Sequence, residues 1–143
     1  MLSKFAAAVL AALALTAAPA PAQPAPPAQP PAAEPAPAPD GATTARFTTF
    51  FTQVLGGHVP GGNISPRMKT GFTSTVLSQI DGAFAGYGKF RQLQFVRADT
   101  MQEYHRYHYL AVFERGSQGV MFVVDSSGTI VGFFQDQSAA NPQ

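Results

Sequence analysis

The chain has 143 residues, 12% of them charged, a formal net charge of +1 and no cysteine. Its length fits one domain. The missing thiols exclude disulfides, thiolate catalysis, cysteine-ligated zinc, iron–sulfur clusters and a lipid-modified cysteine anchor.

The first forty residues do not read as a domain. Lys4 gives a positive start, Phe5 to Ala18 is apolar apart from Thr16, and Ala20-Pro21-Ala22 is a small-x-small site. This is the pattern of a secretory signal over residues 1–22 with Gln23 as the mature start. The apolar run is shorter than the roughly 20 residues a membrane helix needs, so no stable membrane insertion is expected once the signal is cleaved. The expected location is secreted or periplasmic, in a bacterial envelope.

Residues 23–42 form an Ala/Pro-rich linker, and ten of the thirteen prolines lie between Pro19 and Pro39. Proline fixes φ and removes backbone donors, so the linker is expected to be a disordered, polyproline-like spacer with neither helix nor ladder. The folded unit is expected over residues 43–137, followed by a disordered tail, 138–143. From residue 43 onward there are eight basic and six acidic side chains, and the basic ones are scattered. A nucleic-acid binder would gather them into a stripe, so no nucleic-acid partner is expected.

After the capping candidates Asp40, Thr43 and Thr44, the residues Phe47, Phe50, Phe51, Val54 and Leu55 fall at helical spacing, and Gly56-Gly57 ends the run. Ser65-Pro66 reads as the start of a second helix. There Met68, Phe72, Val76, Ile80 and Phe84 recur every four residues, with a break expected near Asp81-Gly82.

The period then changes. Residues 90–97, 103–115, 119–125 and 129–135 are rich in aromatic and β-branched side chains. Gly116 to Gly119 and Asp125 to Gly128 read as short hairpin loops, which makes the strands consecutive and antiparallel. The fold class is therefore α+β: two or three N-terminal helices packed on a curved four-stranded antiparallel sheet. Stretches such as 109–113 and 121–124 are apolar on both faces, so a homodimer through the exposed sheet face is expected.

Two elements carry a resemblance. Gly86-Tyr87-Gly88-Lys89-Phe90 precedes the sheet, and Asp125 to Phe133 carries a D-x-x-G-x-I-x-G-F pattern near its end. Over residues 43–136 the chain resembles nuclear-transport-factor-2-like (cystatin-like) domains, and is similar to a small secreted bacterial branch of unknown function. The matching positions are turn glycines and apolar core residues. The resemblance implies a cone-shaped fold, and the superfamily's ketosteroid-isomerase-like and polyketide-cyclase-like enzymes imply an acid–base group inside an apolar cone.

The best polar set for such a cone lies on the long third segment. Glu103, His105, Tyr107 and Tyr109 share one strand face by alternation and are the expected ligand-binding residues. As an alternative, Glu103, His105 and Tyr107 would supply base, proton shuttle and oxyanion donor for an isomerase or cyclase. His105 and His108, three apart on a strand, point to opposite faces and share no metal ion. Asp125 and Asp99 read as turn residues. No catalytic constellation, metal site or cofactor motif emerges. The function expected is an exported non-catalytic domain that binds a small apolar ligand or serves as an accessory module.

Overall fold

A computed structural model describes residues 34–140. The signal-like leader, most of the Ala/Pro linker and residues 141–143 lie outside them. The element order is β1 (Glu34–Pro35), α1 (Gly41–Leu55), α2 (Pro66–Gly71), α3 (Ser74–Phe84), a 3-10 turn (Ala85–Tyr87), β2 (Phe90–Met101), β3 (Tyr104–Phe113), β4 (Gly116–Val124), β5 (Ile130–Gln135) and α4 (Gln137–Ala140). The five strands pair in chain order, all antiparallel.

The fold is α+β as expected, but the sheet has five strands rather than four. The extra strand comes from the Ala/Pro segment. Glu34 and Pro35 pair with Thr100 and Asp99, and the Ala36 N–H donates to the Ala98 carbonyl at 3.0 Å. An edge position tolerates proline because its missing donor faces away from the ladder.

Helix α1 starts at Gly41, because the Asp40 side chain accepts from the Thr43 N–H at 2.7 Å. The expected second helix is two. It breaks at Phe72–Thr73 instead of at Asp81–Gly82. Thr73 caps the second piece by accepting from the Val76 N–H at 3.3 Å, while Phe72 turns into the core against Phe50. Gly82 stays inside α3.

The first hairpin loops also move. β2 runs on to Met101, so the turn to β3 is Gln102–Glu103, and the turn to β4 is Glu114–Arg115 rather than the 116–119 segment. The register then pairs Arg97 with His108, Asp99 with Arg106 and Tyr107 with Phe122.

The core lies between α1 and the inner face of the sheet. Phe47 stacks on Phe122 with ring centroids 4.4 Å apart, and Phe50, Phe51, Tyr109, Val120 and Ile130 close around them. Phe51 meets Phe84, Phe90 and Phe113 edge-on at the other end. These contacts pack the side of the sheet where a conical cavity would have to open. On the outer face α4 lies over β3 and β4. It fits there because Gly119 has no side chain: a Cβ at that position would run into the Asp136 carbonyl.

Candidate functional site

Of the four expected ligand-binding residues, the structure brings two together. Tyr109 is fully buried, and its hydroxyl shares a 2.9 Å hydrogen bond with the Thr44 hydroxyl of α1. Burial raises its pKa above the ordinary 10.0, against the smaller opposing effect of the Thr44 bond. It is a core residue with a satisfied hydroxyl. Glu103 sits exposed in the β2–β3 turn. The trio Glu103, His105 and Tyr107 is therefore not assembled around an interior site.

His105 and Tyr107 line a surface cleft of about 360 Å³ where the start of β3 meets the start of α1 and the β4–β5 turn. Ala42, Thr43 and Arg46 of α1 form one wall, and Val124, Asp125, Ser126 and Gly128 another. His105 is oriented by a 3.1 Å contact between Nδ1 and the Thr100 hydroxyl, which leaves Nε2 as its second polar atom. Tyr107 packs its ring on Phe47.

The Asp125–Gly128 turn that lines the cleft is held by hydrogen bonds to Asp125. Asp125 accepts from the Ser127 hydroxyl at 2.6 Å, the Ser127 N–H at 2.9 Å and the Thr129 N–H at 3.0 Å. The Ser127 hydroxyl, with the Thr129 and Ser127 backbone donors, holds the carboxyl below its ordinary range. Gly128 takes φ +80°, the left-handed region that glycine adopts freely. The reading of Asp125 as a turn residue stands.

Arg46 is the functional candidate that sequence reasoning passed over. Its Nη1 donates to the Gly128 carbonyl at 2.7 Å, and the guanidinium lies 5.5 Å from the Phe47 ring centroid. Its Nε is buried without a hydrogen-bond partner, and among the described residues Arg46 forms no ion pair. The available signal was its place one residue before the apolar stripe of α1, a position at the edge of the buried face.

A second polar group lies on the opposite face of the sheet. Asp99 is 9% exposed and His108 3%; with Arg106 and Asp136 they form a connected cluster. Asp99 is thus inside a strand and buried, not a turn residue. Asp99 and Asp136 meet opposite nitrogens of the His108 ring, so the three do not converge on one ion. Among the described residues no group of three His, Asp or Glu could hold a metal, and no helix is long and apolar enough to cross a membrane. Comparison with known proteins gave no match to a family model, to a curated protein or to a solved structure.

Proposed function

We propose that this chain is an exported accessory domain that binds a small amphipathic anion in the cleft between Arg46, His105 and Tyr107. The helices-before-meander order and the glycine-turn elements at Gly86–Phe90 and Asp125–Phe133 favour a relative of the nuclear-transport-factor-2-like domains. In this chain the ligand would sit at the rim of the sheet, because aromatic rings fill the space inside it.

The observation that carries the reading is Arg46, a cation that lines the cleft and forms no ion pair among the described residues. Charge-assisted bonds to the oxygens of an anion are the strong contacts that a guanidinium offers. His105 Nε2 and the Tyr107 hydroxyl offer further polar contacts, and Val124, Ala42 and the Tyr107 ring offer an apolar wall. A volume of about 360 Å³ lies at the small end of ligand sites. Nothing in the cleft pairs a nucleophile with a base, which favours binding over catalysis.

The test is an amide chemical-shift titration with benzoate and octanoate, and with octylamine as the cationic control. The expected result is saturable shifts at Ala42, Thr43, Ser126 and Gly128 with the two carboxylates, lost in Arg46→Gln with His105→Ala. Equal response to octylamine, or no response to either carboxylate at millimolar concentration, overturns the reading.

A further inference from the structure

The cluster on the outer face belongs to no part of the cleft. The His108 Nε2 lies 3.0 Å from Asp99 Oδ2 on β2, and its Nδ1 meets Asp136 Oδ2 in the link between β5 and α4. Arg106 of β3 donates from Nε to the other Asp99 oxygen at 2.5 Å. Arg97 of β2 lies opposite His108 in the ladder; its Nη2 donates to the Ser138 hydroxyl at 2.9 Å and stands 3.4 Å from His108 Nδ1. From β4, the residue opposite His108 is Met121, which does not titrate. Each ring nitrogen faces a carboxylate, so the imidazole bridges β2 to the link between β5 and α4.

Residues 136–140 have little else to hold them down. A four-residue helix has no stability of its own. Ala139 is its one buried side chain, and the Asp136 N–H donates to the Gly119 carbonyl at 2.8 Å. The Ser138 N–H and hydroxyl both bond Asp136 Oδ1, at 3.0 and 2.5 Å, so the carboxylate organises the segment and also ties it to the sheet.

We infer that residues 136–140 are a C-terminal latch over the outer sheet face, closed by the Asp99–His108–Asp136 bridge and opened by acid. Opening uncovers His108 and the strip of β4 at Gly119, and releases the already exposed Arg97 from Ser138. The direction follows from Asp136. Burial works against its charge, but bonds from His108 and Ser138 and the charge of His108 outweigh it and hold the carboxyl below the ordinary 3.8. A carboxyl depressed in the closed form favours closure above its ordinary value and loses that contribution as pH falls through the closed-form value.

Amide hydrogen exchange on the full chain, expressed as protection relative to the intrinsic rate at each pH, tests the latch. Protection of the Asp136 amide should be level near neutrality and fall several-fold, by at most about sevenfold, by about pH 3, while β3 and β4 amides keep theirs. In Asp136→Asn the segment should already be open at neutral pH, with the acid step gone. Gly119→Ala should release it at every pH by steric displacement, with β3–β4 protection kept. The latch is overturned if the acid step survives in Asp136→Asn, or if Asp136 and the strands lose protection together.

Discussion

Tyr109 places a hydroxyl inside an aromatic core, and Thr44 is what makes that tolerable. The ring packs edge-on against Phe47 and Phe122, and the hydroxyl reaches Thr44 across the gap between β3 and α1. Tyr109→Phe removes one bond and leaves Thr44 free to re-bond, so it should cost about 0.5–1.5 kcal/mol in urea unfolding at neutral pH. The alkaline limb should respond too. A phenol whose pKa is raised in the folded state contributes stability that is full below its ordinary 10.0 and is lost as pH rises through the folded value. The fall in stability above about pH 10 should therefore be shallower in Tyr109→Phe; an unchanged slope would show that another group drives it. Phe47→Ala is the harsher change. It removes the ring stacked on Phe122 and should cost about 3–5 kcal/mol, where the half-exposed Phe134→Ser should stay within about 0.5 kcal/mol. Single positions were legible where periodicity placed them, as with Phe47, Phe50 and Phe51. Asp99 was not, because its burial depends on Arg106 and His108 across the ladder, and that pairing follows only from the turn position.

The elements show the same dependence on turns and caps. An apolar repeat every four residues from Met68 to Phe84 is compatible with one helix or two coaxial stretches. Thr73 decides for two, because its hydroxyl oxygen can take the Val76 N–H and start a new helix directly after Phe72. Thr73→Ala should cost about 0.5–2 kcal/mol in thermal or urea unfolding, with the loss recovered by Thr73→Ser or Thr73→Asp. No loss on Thr73→Ala would mean that Phe72 packing alone sets the break. The β2–β3 turn was misplaced for a related reason. Residues 98–103 contain neither glycine nor proline, and the turn is made by Gln102 at φ +57°, a conformation that non-glycine residues seldom signal in a sequence. Placing that turn at Gln102–Glu103 fixes the whole pairing, including Arg97 opposite His108 and Asp99 opposite Arg106. The cleft was half legible: alternation put His105 and Tyr107 on one shared face, but Arg46 reaches them only through the α1-to-sheet packing.

The surface of the whole molecule bears on self-association. Stretches of β3 and β4 that are apolar on both faces suggested that the exposed sheet face would need a second copy to cover it. The chain covers part of that face itself, with α4 on β3 and β4 and a charged cluster at its centre. What remains includes a strip of Tyr104, Val123, Val131 and Phe134 beside Arg67, with Phe134 53% exposed, and Met101 paired with Tyr104. Stable interfaces bury about 800 Å² on each partner, more than these few side chains supply. The part of β2 that the short β1 leaves unpaired gives little help, because it is broken by two register shifts and carries Arg91 and Arg97, features that discourage strand addition. A monomer is therefore expected by light scattering at tens of micromolar near neutral pH, against the dimer that the two-sided apolar strands imply. The latch makes the state depend on pH in one direction. If acid lifts residues 136–140, the apolar strip extends across Met121 and Gly119 toward β3, and any dimer should appear on acidification and be suppressed by Phe134→Ser. A dimer at neutral pH that persists in Phe134→Ser would place self-association on a different surface.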